Sequence, residues 1–188
     1  MIKPLSIDGT WLFQPQLFDD ARGTFAAWYQ RDVFQEATGR SMPLGQANLS
    51  TSRRGAIRGI HFADVPPGQA KYITCASGAV RDVVVDLRVG SPTFGRWETV
   101  DLDDQSRQAL FLTEGIGHAV QGLTEEATIV YMCSAGYVAE RERAIHPLDP
   151  DLGIDWIPGV EPILSAKDTV APTVAEAQEA GLLPVYQP

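Results

Sequence analysis

Three histidines, His61, His118 and His146, are the chain's whole stock of imidazole. Imidazole is the side chain best suited to moving protons near neutral pH. It becomes a directed base when a carboxylate holds one ring nitrogen and leaves the other free. Spacing alone does not name that carboxylate, and Asp82, Asp86 and Asp168 are all open. Asp168 ends Ser165-Ala166-Lys167-Asp168, which reads equally as a surface turn. Lys71, at the start of a strand-like run, reads most simply as a solvated edge lysine, and Tyr131 as a core aromatic. His118 enters a strand from Gly115-Ile116-Gly117, where a satisfied structural histidine is the plainer reading.

A metal site is the competing chemistry. His61 and His118 with Asp64 would make a facial triad. Against it, His61 is followed by Phe62-Ala63-Asp64, so the His-x-His pair of metal-binding small barrels is absent. Cys75 and Cys133 are the only cysteines and form no C-x-x-C. They fit neither a disulfide framework nor a thiolate zinc cluster, and read as buried thiols in a reducing cytoplasm.

The elements that must position these groups are short apolar runs punctuated by 17 glycines and 13 prolines. Strand character is clearest at 57–62, 71–76, 80–87, 97–102, 110–113 and 128–133. Val83-Val84-Val85 suits a strand buried on both faces. Strands at this spacing with little helix between them indicate an all-β sandwich or barrel. Two short helices are expected. One runs over 31–38, with Val33, Phe34 and Ala37 on one side and Gly39 as its stop. The other lies near 173–180, after Pro172 and before Gly181. One positional conflict stands out. If Ile60 and Phe62 face one core, Arg58 and His61 cannot share the opposite face in strict alternation, so a bulge, or the end of the strand near Gly59, is needed.

At 188 residues the chain fits one domain, 1–188, with 147–188 as a loop-rich extension wrapping the sandwich. The net charge of −9 argues against a nucleic-acid or anionic-membrane binder but leaves room for a few arginines around a small phosphorylated ligand. No run of about 18 apolar residues marks a membrane span. The start lacks the apolar core of a signal peptide, so a cytoplasmic protein is expected.

Together the motifs are more specific than any one alone. Phe18-Asp19-Asp20-Ala21-Arg22-Gly23-Thr24-Phe25, Gln46-Ala47-Asn48-Leu49-Ser50 and Arg58-Gly59-Ile60-His61-Phe62 are followed by Pro66-Pro67-Gly68-Gln69-Ala70-Lys71. Asp82-Val83-Val84-Val85-Asp86-Leu87-Arg88, Ser91-Pro92-Thr93-Phe94-Gly95, Gly115-Ile116-Gly117-His118-Ala119, Tyr131 and Ser165-Ala166-Lys167-Asp168 complete the series. In this order, over about nine-tenths of the chain, it resembles the dTDP-4-dehydrorhamnose 3,5-epimerase family of deoxysugar biosynthesis.

The resemblance implies a jelly-roll, cupin-like β-barrel with short peripheral helices, without a catalytic metal or cofactor, usually a homodimer. It implies a dTDP-linked 4-keto-6-deoxyhexose as substrate and inversion next to the keto group. By the same resemblance His61 is the base, Asp168 orients it, and Tyr131 is the acid on the opposite face. Lys71 faces the keto oxygen and supports the Tyr131 phenolate. His118 hydrogen-bonds in the pocket, and Arg22 and Arg58 hold the diphosphate. Phe25, Gln46, Asn48 and Tyr137 line the nucleotide end, with Glu142 and Lys167 nearby. Two positions depart from the family's wording: Ala27 stands where a base-recognising Glu is frequent, and Ala63 where Gln is frequent. These changes resemble the branch that serves antibiotic deoxysugars, whose members invert carbon 3, carbon 5 or both. A metal-dependent cupin oxygenase or isomerase is the alternative enzyme class, and a catalytically inert sugar-nucleotide-binding barrel the non-enzymatic one.

Overall fold

A computed structural model describes residues 1–187; Pro188, the last residue of the expected extension, lies outside it. Two antiparallel sheets pack face to face. The six-stranded sheet has the order β1 (Ile2–Pro4), β2 (Thr10–Phe13), β10 (Ala109–Leu112), β7 (Lys71–Ser77), β12 (Glu126–Cys133) and β5 (Gln46–Arg53). The five-stranded sheet has the order β13 (Glu142–Ala144), β6 (Ile57–Ala63), β11 (Ile116–Gly122), β8 (Ala79–Asp86) and β9 (Trp97–Asp103). From β5 to β8 each strand lies in the sheet opposite the one before it, the crossing pattern of a jelly roll. A separate hairpin pairs β3 (Leu17–Asp20) with β4 (Gly23–Ala26).

All six expected strands form, each within two residues of its expected ends. Their alternation builds three apolar layers. Ile73, Cys75, Leu110, Leu112 and Ile129 of one sheet meet Val80, Val84, Leu102, Ile116 and Val120 of the other between the sheets. Ile60, Phe62, Val83, Val85 and Ala119 face outward from the five-stranded sheet. They are covered by Leu152, Val174, Ala177 and Leu183 from the C-terminal segment. Val83, Val84 and Val85 thus serve two layers and have no exposed surface. The third layer, on the outer face of the six-stranded sheet, is aromatic. Tyr72, Phe111 and Phe13 pack against Phe34 of α1 (Arg31–Thr38), with Trp28 and Tyr29 beside them.

Helix α1 ends at Gly39, whose φ of 67° needs no Cβ penalty there. Its expected apolar side is narrower than the pattern suggested. Phe34 alone is buried, and Val33 and Ala37 are exposed, because this short helix rests on the sheet through one anchor. The C-terminal helix α3 (Val174–Glu179) starts from Thr173 in a reciprocal capping box with Glu176. Between them lies one turn, α2 (Ala166–Thr169), in a stretch expected to be loop. Among the described residues no helix is long and apolar enough to cross a membrane.

Candidate active site

His61 and His118 sit directly opposite each other on neighbouring strands β6 and β11. Such a pairing places both side chains on one face of the sheet. Two residues further along β11, Val120 pairs with Arg58, so β6 carries one residue more than its partner over this stretch. The conflict is thus met by a bulge and not by the strand ending near Gly59. The bulge turns Ile60 and Phe62 outward into their core while Arg58 and His61 both face the other sheet. Gly59 makes it possible. Its φ is +134°, and a Cβ there would come within 2.5 Å of both the Ala119 Cβ and the His118 carbonyl oxygen.

His61 Nε2 lies 2.7 Å from Asp168 Oδ1. The partner comes from α2, 107 residues away. Asp168 is not the surface turn of its plainer reading, since it is 3% exposed. Ser165 caps α2, accepts from the Asp168 amide and donates 2.8 Å to Oδ2. Burial pushes the Asp168 carboxyl up, but the bonds from His61 and Ser165 outweigh it and hold it below the usual carboxylate range. An ionised Asp168 therefore fixes the proton of a neutral His61 on Nε2 and leaves Nδ1 free to accept one. The other two carboxylates divide cleanly. Asp82 holds His118 Nε2 at 2.8 Å, whereas Asp86 binds Arg88, Ser91 and Thr93 and no histidine.

The six-stranded sheet supplies the facing wall. Tyr131 of β12 packs beside the inter-sheet core and lines a cavity of about 360 Å³ with Arg58, His61, Asp168, Ser50 and Ile163. It is thus both a partial core aromatic and a cleft residue. Burial raises its phenol above the ordinary value; Cys133 and Glu142 add to this and Arg58 opposes it. Arg58 donates to the Ser52 hydroxyl and the Thr51 carbonyl, both at 2.9 Å, and forms no carboxylate pair among the described residues.

Lys71 is no edge lysine. Its strand lies between β10 and β12, and the residue is 8% exposed. Burial lowers its ammonium pKa below the ordinary 10.5, while Cys133, Glu142 and Asp82 pull it back up. Gln46 and Asn48 lie on the inward face of β5. Gln46 donates to Asn48 at 2.7 Å, and Asn48 donates to the Cys133 thiol at 3.6 Å. The Gln46 side-chain oxygen also accepts from the Tyr137 amide at 2.8 Å, although the Tyr137 ring is exposed. Glu142 is half-buried on the edge strand β13, and Lys167 is exposed on α2 beside Asp168.

Two expected residues stand apart. Arg22 and Phe25 belong to the β3–β4 hairpin. Arg22 is exposed and paired with Asp20, while Phe25 lines a second cavity with Trp28, Thr74 and Val130, on the outer face of the six-stranded sheet. The triad considered for metal does not assemble. Asp64 is bound to Arg143 at 2.6 Å, and the described residues contain no metal-holding group of three or more His, Cys, Asp or Glu side chains. Ser165 and Ser50 were not anticipated. Ser165 had a signal, because Ser-x-x-Asp is a capping pattern that predicts a helix start and hence a fixed Asp168. Ser50 had none.

The sequence model of the dTDP-4-dehydrorhamnose 3,5-epimerase family matches residues 4–176. A dTDP-4-dehydro-6-deoxyglucose 3-epimerase of Streptomyces bikiniensis is 52% identical over 186 residues, covering 99% of this chain and 95% of the relative. A dTDP-4-dehydrorhamnose 3,5-epimerase of Streptomyces griseus is also 52% identical over 186 residues, covering 99% and 92%. The crystal structure of NovW, a 4-keto-6-deoxy sugar epimerase from the novobiocin biosynthetic gene cluster of Streptomyces spheroides, is similar with a TM-score of 0.97 at 56% identity. That match covers 99% of this chain and 93% of NovW. Sequence and fold agree over nearly the whole length, and the chain belongs to the dTDP-4-dehydrorhamnose 3,5-epimerase family.

Proposed function

We propose that this protein epimerises a dTDP-linked 4-keto-6-deoxyhexose at carbon 3, carbon 5 or both. The observation that carries the reading is that an oriented histidine and a buried phenol line one cleft from opposite sheets. A carbon next to a ketone is acidic because its conjugate base is an enolate. Inverting it needs a base on one face, an acid on the other, and positive charge or a donor at the oxygen. His61, with its Nε2 proton held by Asp168, takes the proton through Nδ1. Lys71 faces the keto oxygen, where an ammonium in a dry site favours the enolate. Tyr131 returns a proton from the other side. A phenol is a weak acid, but an enolate carbon is basic enough to take its proton, and Arg58 offsets the phenolate left behind.

Arg58, which has no carboxylate partner among the described residues, serves the diphosphate with forked donors. Gln46, Asn48, Tyr137, Glu142, Lys167 and His118 line the rest of the substrate path. Arg22 and Phe25 serve the nucleotide end only when the exposed hairpin meets a cleft. We place that hairpin on a second copy of the chain, in a homodimer. Exposed Phe18, Phe25 and Leu49 give such an interface apolar surface. Residues 147–188 act as an extension wrapped on a single domain, supported by the seating of Leu152, Val174 and Leu183. Two unbridged buried thiols fit a cytoplasmic enzyme.

Incubation with dTDP-4-keto-6-deoxyglucose in deuterated water tests the reading. Deuterium should enter the ring next to the keto group; the labelled position names the carbon deprotonated, and NMR of the product's configuration names the carbon inverted. Activity should survive exhaustive chelation. Loss on chelation with recovery on adding a divalent metal would favour the cupin oxygenase or isomerase reading.

A further inference from the structure

Asp82 is a buried carboxylate with no task in that scheme. Asp82 has no exposed surface, and its alternation with Val80 and Val84 points its side chain into the space between the sheets. Oδ2 is bound to His118, but Oδ1 is buried and has no hydrogen-bond partner among the described residues. A buried acceptor left unmatched costs roughly 1–3 kcal/mol, and more when charged. An apolar side chain would fill a site flanked by valines without that penalty, so packing alone does not account for a carboxylate here.

What faces it does. His118 comes from β11, with His61 of β6 directly across from His118. Lys71 comes from β7; Cys133 of β12, Glu142 of β13 and, least, Asp82 favour its charged form. Lys71 has no hydrogen bond or ion pair through its side chain among the described residues. It is a buried cation whose nearby carboxylates, Asp82 and Glu142, stop short of contact.

We infer that Asp82 is a positioning residue of this site: it fixes His118 as the Nε2-protonated tautomer. The inference rests on the reading of His118 as a group facing the sugar, and gives it a defined state. A neutral His118 whose Nε2–H is donated to Asp82 offers the substrate only an acceptor, Nδ1, which suits a sugar hydroxyl.

The first test needs no substrate and so stands apart from the epimerase reading. In protein carrying ¹⁵N-histidine, His118 of the native enzyme should show a protonated Nε2 and a bare Nδ1. The opposite tautomer overturns the inference. In Asp82→Asn, which keeps the shape, that preference should be lost. The second test is rescue by the conservative variant. Asp82→Glu, which keeps the carboxylate, should keep the Nε2-protonated tautomer that Asp82→Asn loses. Loss of that preference in neither variant, with a uniform loss of exchange rate in both, would make Asp82 a structural residue only. Exchange that is absent in the native enzyme, with the His118 tautomer as stated, would overturn the epimerase reading and leave the positioning of His118 standing.

Discussion

Asp82 and Asp86 lie four residues apart on β8, both without exposed surface, and they are held in opposite ways. Asp86 accepts five hydrogen bonds, from the Arg88 amide, Nε and Nη2 and from the Ser91 and Thr93 hydroxyls, at 2.6 to 3.1 Å. Arg88 in turn donates to the Asp8 carbonyl and lies 5.0 Å from the Tyr186 ring. Every strong group in that cluster is used, and what it holds is the turn after β8 against both chain ends. Asp82 has one partner and an oxygen to spare. A buried charge with its bonding capacity filled acts as a rivet. One with capacity left over, beside a cleft, is a working part.

The contrast is sharpest where two variants cost the same free energy in different observables. Asp86→Ala strands the Arg88 guanidinium in the interior and should lower stability by about 3–5 kcal/mol, a large part of the roughly 5–15 kcal/mol typical of a domain. Urea unfolding would show it, while exchange per folded molecule should stay near native. A loss below about 1 kcal/mol would break the comparison. His61→Ala should slow deuterium exchange roughly 100- to 10,000-fold, an energy of about 3–5 kcal/mol that appears in the barrier. Its unfolding midpoint should move far less, because Ser165 still donates to Asp168. Native-like exchange in this variant would place the base elsewhere.

Tyr131→Phe should separate two events that His61→Ala abolishes together. Exchange needs only the base and one face; inversion needs the proton from the other. The variant should keep exchange and lose inversion by roughly 100-fold or more, followed on one sample by mass spectrometry and NMR. Native inversion would make Tyr131 a packing residue.

The smallest effects are on stability against pH. Burial raises the Asp86 carboxyl, but its donors win and hold it below 3.8. Its contribution is present above that value and is lost as pH falls through the lower folded-state value. Lys71 has the opposite consequence. Its folded pKa lies below the unfolded 10.5, so protonation opposes folding and stability rises as pH climbs between the two. Lys71→Met should flatten the alkaline rise and leave the acid loss unchanged, as read from unfolding midpoints across pH.

The same division governs what could be read from the sequence. The runs around Val83–Val85 and Leu110–Leu112 announce strands because both faces are apolar. Strand β5 does not, since its inward residues Gln46, Asn48 and Ser50 face a polar cleft and only Ser52 is buried. Its pattern therefore carries no hydrophobic period. The β3–β4 hairpin escaped for a related reason: Phe18 and Phe25 are exposed. The need for a bulge or a strand end near Gly59 was legible because it followed from side-chain parity alone. Which aspartate serves which histidine was not, since the pairs are 36 and 107 residues apart and only the sheet order joins them.

The bulge at Gly59 makes the active face of β6 a matter of phase. Side chains on a strand alternate with a period of two, so the extra residue resets the alternation between Arg58 and His61. Deleting Gly59 would give a more regular ladder and a strand that still pairs, yet it would rotate one of the two functional side chains out of the cleft and into the C-terminal packing. A regularised sheet would be the better fold and the worse enzyme.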